Sequence, residues 1–391
     1  MIRLIKSTFY REEETKEKLC DFIMNAKQLS FSQYCKKFEK DFAKWQNRKY
    51  CVFFNSGSSA NLAIIQTLLN LWKIKKWDNI GFSSLTWATN VMPIIQLWLN
   101  PIPIDVEIDT LNISVEKIKE IRKKDNLKIL FITNLLWLCD EIDKIKDYCK
   151  KNNILLLEDN CESMWTVYQW KKLGDFWEMS SFSTYVGHHM STIEWWMVCT
   201  DDEEYYKMLI IVRAHWWDRN LDEKDKIDIR NKYKIDDDLY SSYTFYELWY
   251  NLRPTEINGF IWCTQIPYLD EIVDLRYKNF LKFVSIINSN SDFENIRYEH
   301  IDIVSSFAIP IICKTKDILN KYIKKFKENN VEIRPIVWWD ITNQIFWKRL
   351  YWEKFVNKNS RYIHENWFYF WNSPEYTYTE IQLLCSLLDN K

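Results

Sequence analysis

Between residues 79 and 158 the chain alternates short apolar runs with longer stretches at helical spacing, and no other feature restricts its fold as strongly. Residues 79–83, 101–106, 128–133 and 154–158 read as strands, separated by helical stretches near 88–98, 114–123 and 140–151. Strands that alternate with helices imply a mainly parallel sheet covered on both faces, because each parallel pair needs a crossover and the crossover helix packs back onto the sheet. Such sheets bind ligands beyond the carboxyl ends of their strands. Gly57, Trp87 and Asp159 all fall there, each shortly after an apolar run.

The flanking segments extend this plan. Residues 12–27 and 31–46 carry apolar side chains at helical spacing, for example Phe31, Tyr34, Phe38 and Phe42. The run 50–54 ends at Asn55-Ser56-Gly57-Ser58, after which Leu62, Ile65 and Leu68 continue at helical spacing. A strand, a Gly/Ser turn and a helix start make an anion seat from free backbone N–H groups, although the same residues cap ordinary helices. A strand at 197–200 and a helix at 202–214 follow, and 221–240 reads as a charged loop. From about 255 a long helical segment leads to strand-like 308–312, a helix at 316–329 and the run 331–336, an α+β layer. The expected division is a large α/β domain over 1–250 and a small α+β domain over 251–391.

Charge and cysteine usage exclude several classes. The 53 basic and 54 acidic residues give a net charge of -1, which offers nucleic acid or an anionic membrane no electrostatic purchase. Ten cysteines occur without a CxxC pair or a dense framework, which is expected of reduced thiols in the cytoplasm and supplies no metal site. No run of about 18 apolar residues suggests a membrane span. The anomaly is five glycines against 21 tryptophans. Trp77, Trp98 and Trp170 stand in apparent turns, where glycine is favoured for its access to positive φ.

The chemistry concentrates in Glu158-Asp159-Asn160-Cys161-Glu162 and in the stretch from Ser183 through His188 to Glu194-Trp195-Trp196. With Tyr250-Asn251-Leu252-Arg253-Pro254-Thr255-Glu256, these resemble the motifs of the DegT/DnrJ/EryC1/StrS family of pyridoxal-phosphate sugar aminotransferases. Counting back from Glu194, the family's cofactor-tethering lysine falls on His188. An imidazole cannot form that covalent link, but with an ordinary pKa near 6.5 it keeps the proton-handling half of the task. The exchange resembles the sugar 3-dehydratase branch of the family.

The resemblance implies a fold-type-I transferase with a seven-stranded-type sheet, working as a homodimer with shared sites. It implies pyridoxal or pyridoxamine phosphate held without a covalent link, and a nucleotide-linked 4-keto-6-deoxyhexose, with GDP as the expected nucleotide and glutamate as amino donor, in surface-polysaccharide synthesis. His188 is then the acid/base. Asp159 faces the pyridine nitrogen, which keeps the ring an electron sink. Trp87 stacks on the ring, Glu162 meets its hydroxyl, and Gly57, Ser58 and Ser183 (or Ser181) hold the phosphate, joined by Asn251 from the partner. His215, Arg219 and Arg334 lie on the substrate side. Departures are also plain: Trp195-Trp196 and Trp249 stand where the family has glycine, and so does Ile193. An iron–sulfur relative is disfavoured because no cysteine lies between Cys199 and Cys263. An ordinary aminotransferase is disfavoured by His188, and a catalytically silent sugar-nucleotide binder stays open.

Overall fold

The computed structural model describes residues 1–390 apart from 124, 215–220, 222, 237–238, 336–338, 352–354 and 356. Its large sheet is built from β1 (Tyr50–Phe54), β2 (Asn79–Ser83), β3 (Asn100–Ile104), β4 (Leu127–Thr133), β5 (Leu155–Asp159), β6 (Met179–Ser183) and β7 (Trp196–Thr200), in the order β1-β7-β6-β5-β4-β2-β3. Strands β2 to β6 run parallel to one another, while β7 is antiparallel to both β6 and β1. The expected mainly parallel seven-stranded sheet is what forms.

Both faces are covered, and successive side chains serve opposite cores as the two-residue period of a strand requires. Phe54, Val198 and Leu157 pack with the helices Gly57–Asn70, Ala88–Gln96 and Glu203–Arg213. Their neighbours Phe53 and Met197 join Phe38, Phe42 and Trp262 on the other side. There Phe38 stands 4.1 Å from Phe53 and 4.7 Å from Trp262, centroid to centroid. Strand β3 carries Pro101 and Pro103, which a central strand would not accommodate because proline cannot donate to the ladder; β3 lies at the sheet edge.

The small layer has strands β8 (Ala308–Ile312), β9 (Arg334–Pro335) and β10 (Trp367–Trp371), all antiparallel with β10 central. The 21-residue helix Leu269–Ser289 lies between the two layers in the chain. The N-terminus also joins this layer: Ile2 N–H donates to Asn330 O and Glu332 N–H to Ile2 O. One expectation is overturned. Residues 223–233 form the helix Glu223–Tyr233 rather than a charged loop. None of its residues is buried, so no apolar stripe marks it; charge pairs such as Lys226–Glu223 and Lys207–Asp225 support it instead. Among the described residues no helix is long and apolar enough to cross a membrane.

Candidate active site

The carboxyl ends of β1, β5 and β6 and the facing edge of the small layer enclose a cavity of about 450 Å3. Gly57, Ser58, Trp87, Glu162, His188 and Arg334 line it, so six of the expected site residues come together. Tyr185, Phe307, Tyr369 and Trp371 complete the apolar wall.

His188 sits at its base. Its ring Nδ1 lies 2.6 Å from Ser183 Oγ, and Ser183 Oγ also accepts the Tyr185 N–H at 3.1 Å. With the imidazole hydrogen on Nδ1, the serine hydroxyl keeps its own hydrogen for another acceptor and Nε2 is left bare. Nε2 faces Glu162 Oε1 at 4.0 Å. Burial, helped by the nearby Arg276 guanidinium, lowers the His188 pKa to about 3. Burial also pushes the Glu162 carboxyl well above its usual range, with the Asp159 charge adding and the Leu136 N–H opposing. Both shifts favour the uncharged forms, which weakens the contact as an ion pair. Glu162 Oε2 accepts the Leu136 N–H at 2.9 Å, whereas the buried Oε1 has no hydrogen-bond partner.

Asp159 ends β5 and is held rigidly. Its Oδ2 accepts from Asn61 Nδ2 at 3.0 Å and Asn90 Nδ2 at 2.8 Å, and its Oδ1 from the Cys161 N–H at 3.0 Å. Sequence reasoning missed both asparagines. The available signal was their position, one in the first turn after Gly57 and one just after Trp87, each facing the switch between strand and helix. It also missed Arg276, which donates to His189 O at 2.8 Å, Asn372 O at 3.0 Å and His188 O at 3.4 Å. That guanidinium ties the His188 loop to the long helix of the small layer.

The remaining expected residues divide. Ser183 is the serine bonded to His188; Ser181, two residues back on the same strand face, is buried with its hydroxyl beside Cys161. Asn251 is exposed, and its Oδ1 accepts from Arg253 Nε at 3.2 Å. Arg334 is exposed on β9 at the cavity mouth. His215 and Arg219 lie outside the described residues.

A wall tryptophan and an orphaned carboxyl oxygen beside an imidazole suit a pyridine ring, while Asp159 lies behind the cavity lining, its oxygens taken by Asn61, Asn90 and the Cys161 N–H. The anion end is different. Ring atoms of Trp196 lie 2.1–2.2 Å from the point where a Cβ on Gly57 would sit, so its indole is pressed onto the helix start.

A model of the DegT/DnrJ/EryC1/StrS aminotransferase family matches residues 10–386. The GDP-4-keto-6-deoxy-D-mannose 3-dehydratase of Yersinia pseudotuberculosis is 34% identical over 319 residues, covering 81% of this chain and 80% of that protein. The enzyme of the same name from Escherichia coli O55:H7 is 32% identical over 329 residues, 83% of each chain. A crystal structure of a GDP-4-keto-6-deoxymannose-3-dehydratase with a trapped PLP-glutamate geminal diamine superposes with a TM-score of 0.86 at 28% identity, covering 100% of both chains. With His188 in its cavity and these relatives along nearly its whole length, the chain belongs to the DegT/DnrJ/EryC1/StrS aminotransferase family.

Proposed function

We propose that this protein removes the C3 hydroxyl of a GDP-linked 4-keto-6-deoxyhexose, using pyridoxamine phosphate bound without a covalent link and glutamate as reductant. The observation that carries it is His188: a buried, neutral imidazole facing the cavity where a transaminase would need an amine. The bound cofactor would supply an amine for the C4 ketone and a ring that accepts electrons.

The chain's own residues then do the following. Asp159, fixed by Asn61 and Asn90, holds a pyridine nitrogen in its protonated form. Trp87 offers its face to the ring. His188 Nε2 accepts one proton and returns it to the departing C3 oxygen, so a single base serves both transfers. Its depressed pKa favours prompt return, and Ser183 fixes the ring's orientation. The apolar wall of Phe307, Tyr369 and Trp371 excludes water while the proton is held. Arg334 at the mouth offers a guanidinium fork to the diphosphate. Over the whole cycle C3 is reduced by two electrons, glutamate is oxidised to 2-oxoglutarate, and ammonia is released; the water expelled at C3 balances the water consumed in hydrolysis.

Asn251 supports a homodimer reading: it is exposed, and from a surface position it can reach a partner's site. The substrate assignment draws on the names of the relatives. Incubation with the GDP-linked 4-keto-6-deoxyhexose, glutamate and pyridoxal phosphate tests it. Ammonia released in step with a product one oxygen lighter is the expected result. A 4-amino sugar without ammonia release would make the protein an aminotransferase.

A further inference from the structure

Left-handed backbone is glycine territory, because a Cβ there crowds the carbonyl; asparagine is the usual substitute. Fifteen described non-glycine residues have positive φ, three of them asparagine and six of them tryptophan. The six are Trp72 (56°), Trp77 (72°), Trp98 (61°), Trp137 (68°), Trp165 (77°) and Trp170 (60°). With 21 tryptophans in 391 residues, chance would place about one among fifteen. Four of them, Trp72, Trp77, Trp98 and Trp170, are also exposed, and beyond an edge contact between Trp77 and Trp98 at 5.9 Å little packing offsets the strained backbone.

A second observation concerns the buried tryptophans. An indole N–H shut away from water ordinarily finds an acceptor. The indole nitrogens of Trp45, Trp177, Trp195, Trp262, Trp347 and Trp367 are buried with no hydrogen-bond partner. These pockets accept a large ring without serving its polar atom. The third observation is Trp196. It pairs with Ser183 across β6 and β7, and its indole covers Gly57 at the start of the helix Gly57–Asn70. The start of that helix at Gly57 is thus crowded by one side chain, on a strand paired in regular register with its neighbour.

We infer that residue 196, and the left-handed positions 72, 77, 98 and 170, are glycine positions occupied by tryptophan, and that the indole at residue 196 weakens binding of the cofactor phosphate. The inference rests on the proposed use of a phosphorylated cofactor. A single cause accounts for scattered positions changing in one direction: a codon such as UGA, which translation systems read differently, as glycine in some and tryptophan in others. The protein made by the cells that own the gene then carries glycine at these positions.

Three proteins test this: the chain as written, Trp196→Gly, and Trp196→Ala, which keeps a Cβ but removes the ring. Equilibrium dialysis against pyridoxal phosphate should show at least tenfold tighter binding in both variants. Trp72→Gly, remote from the cavity, should raise the unfolding midpoint. Tight binding by the chain as written, equal to that of both variants, overturns the inference and leaves the proposed dehydration intact. Variants that bind the cofactor yet transaminate the sugar uphold it and overturn the dehydratase reading instead. Peptide mass spectrometry of the protein from its own cells should find glycine at 72 and 196; tryptophan there would refute the codon account.

Discussion

The depressed His188 pKa makes a quantitative claim about stability. In the unfolded chain the imidazole takes up its proton near pH 6.5, whereas in the folded protein it does so near 3. Between those values the unfolded state binds more protons, so stability is full above the unfolded value and falls as pH falls. Moving from about pH 7.5 to about pH 5 spans some 1.5 units below the unfolded pKa, which corresponds to about 2 kcal/mol at ~1.4 kcal/mol per unit. The titratable or charged neighbours are Glu162 at 4.0 Å, Arg276 on the long helix, and His189, itself held neutral by burial and by Arg276. All three persist when His188 is replaced by Asn, so the difference between parent and variant isolates His188. Urea unfolding of both proteins at the two pH values should show the parent losing about 2 kcal/mol more than His188→Asn. Equal losses would mean that the folded-state imidazole titrates like a free one, and the buried-base argument would fail with it.

Further outcomes follow from the same geometry. His188→Lys should abolish ammonia-releasing dehydration while leaving folding intact, checked by coupled ammonia assay and circular dichroism; undiminished dehydration would mean another group is the base. Arg334→Ala removes charge-assisted hydrogen bonds worth about 1.5–3 kcal/mol, so KM for the GDP-sugar should rise roughly tenfold to a hundredfold with kcat little changed. Phe38→Ala, in the aromatic cluster with Phe53 and Trp262, should destabilise the fold by about 3–5 kcal/mol in urea unfolding.

What could be read from the residues differed by region for physical reasons. The parallel strands were legible because burial on both faces leaves apolar runs bracketed by helices, and Gly57, Trp87 and Asp159 follow from where those strands end, whereas His188 came from the family resemblance. β10 was not marked, although Trp-Phe-Tyr-Phe-Trp is a central strand: with both faces covered it shows no alternation, and periodicity cannot distinguish it from a buried helix turn. The helix Glu223–Tyr233 was invisible for the opposite reason, having no buried face at all. At the site, residues with their own motif were found, while Asn61, Asn90 and Arg276 act by holding other groups; only the position of the two asparagines near helix starts marks them.

The consequence for catalysis lies in how those silent residues divide the work. Arg276 fastens the loop through backbone carbonyls, so its charge stays close and adds to burial, the larger cause, in lowering the imidazole pKa without bonding to the ring. Burial and the Asp159 charge meanwhile push the Glu162 carboxyl toward its protonated form, and its Oε1 has no other partner. An imidazole and a carboxyl 4.0 Å apart, both shifted toward their uncharged forms, can pass a proton during turnover with less cost in unpaired buried charge. A lysine in place of His188 would give up this arrangement, because beside the Arg276 guanidinium in a dry pocket its ammonium would be costly unless consumed by a covalent link.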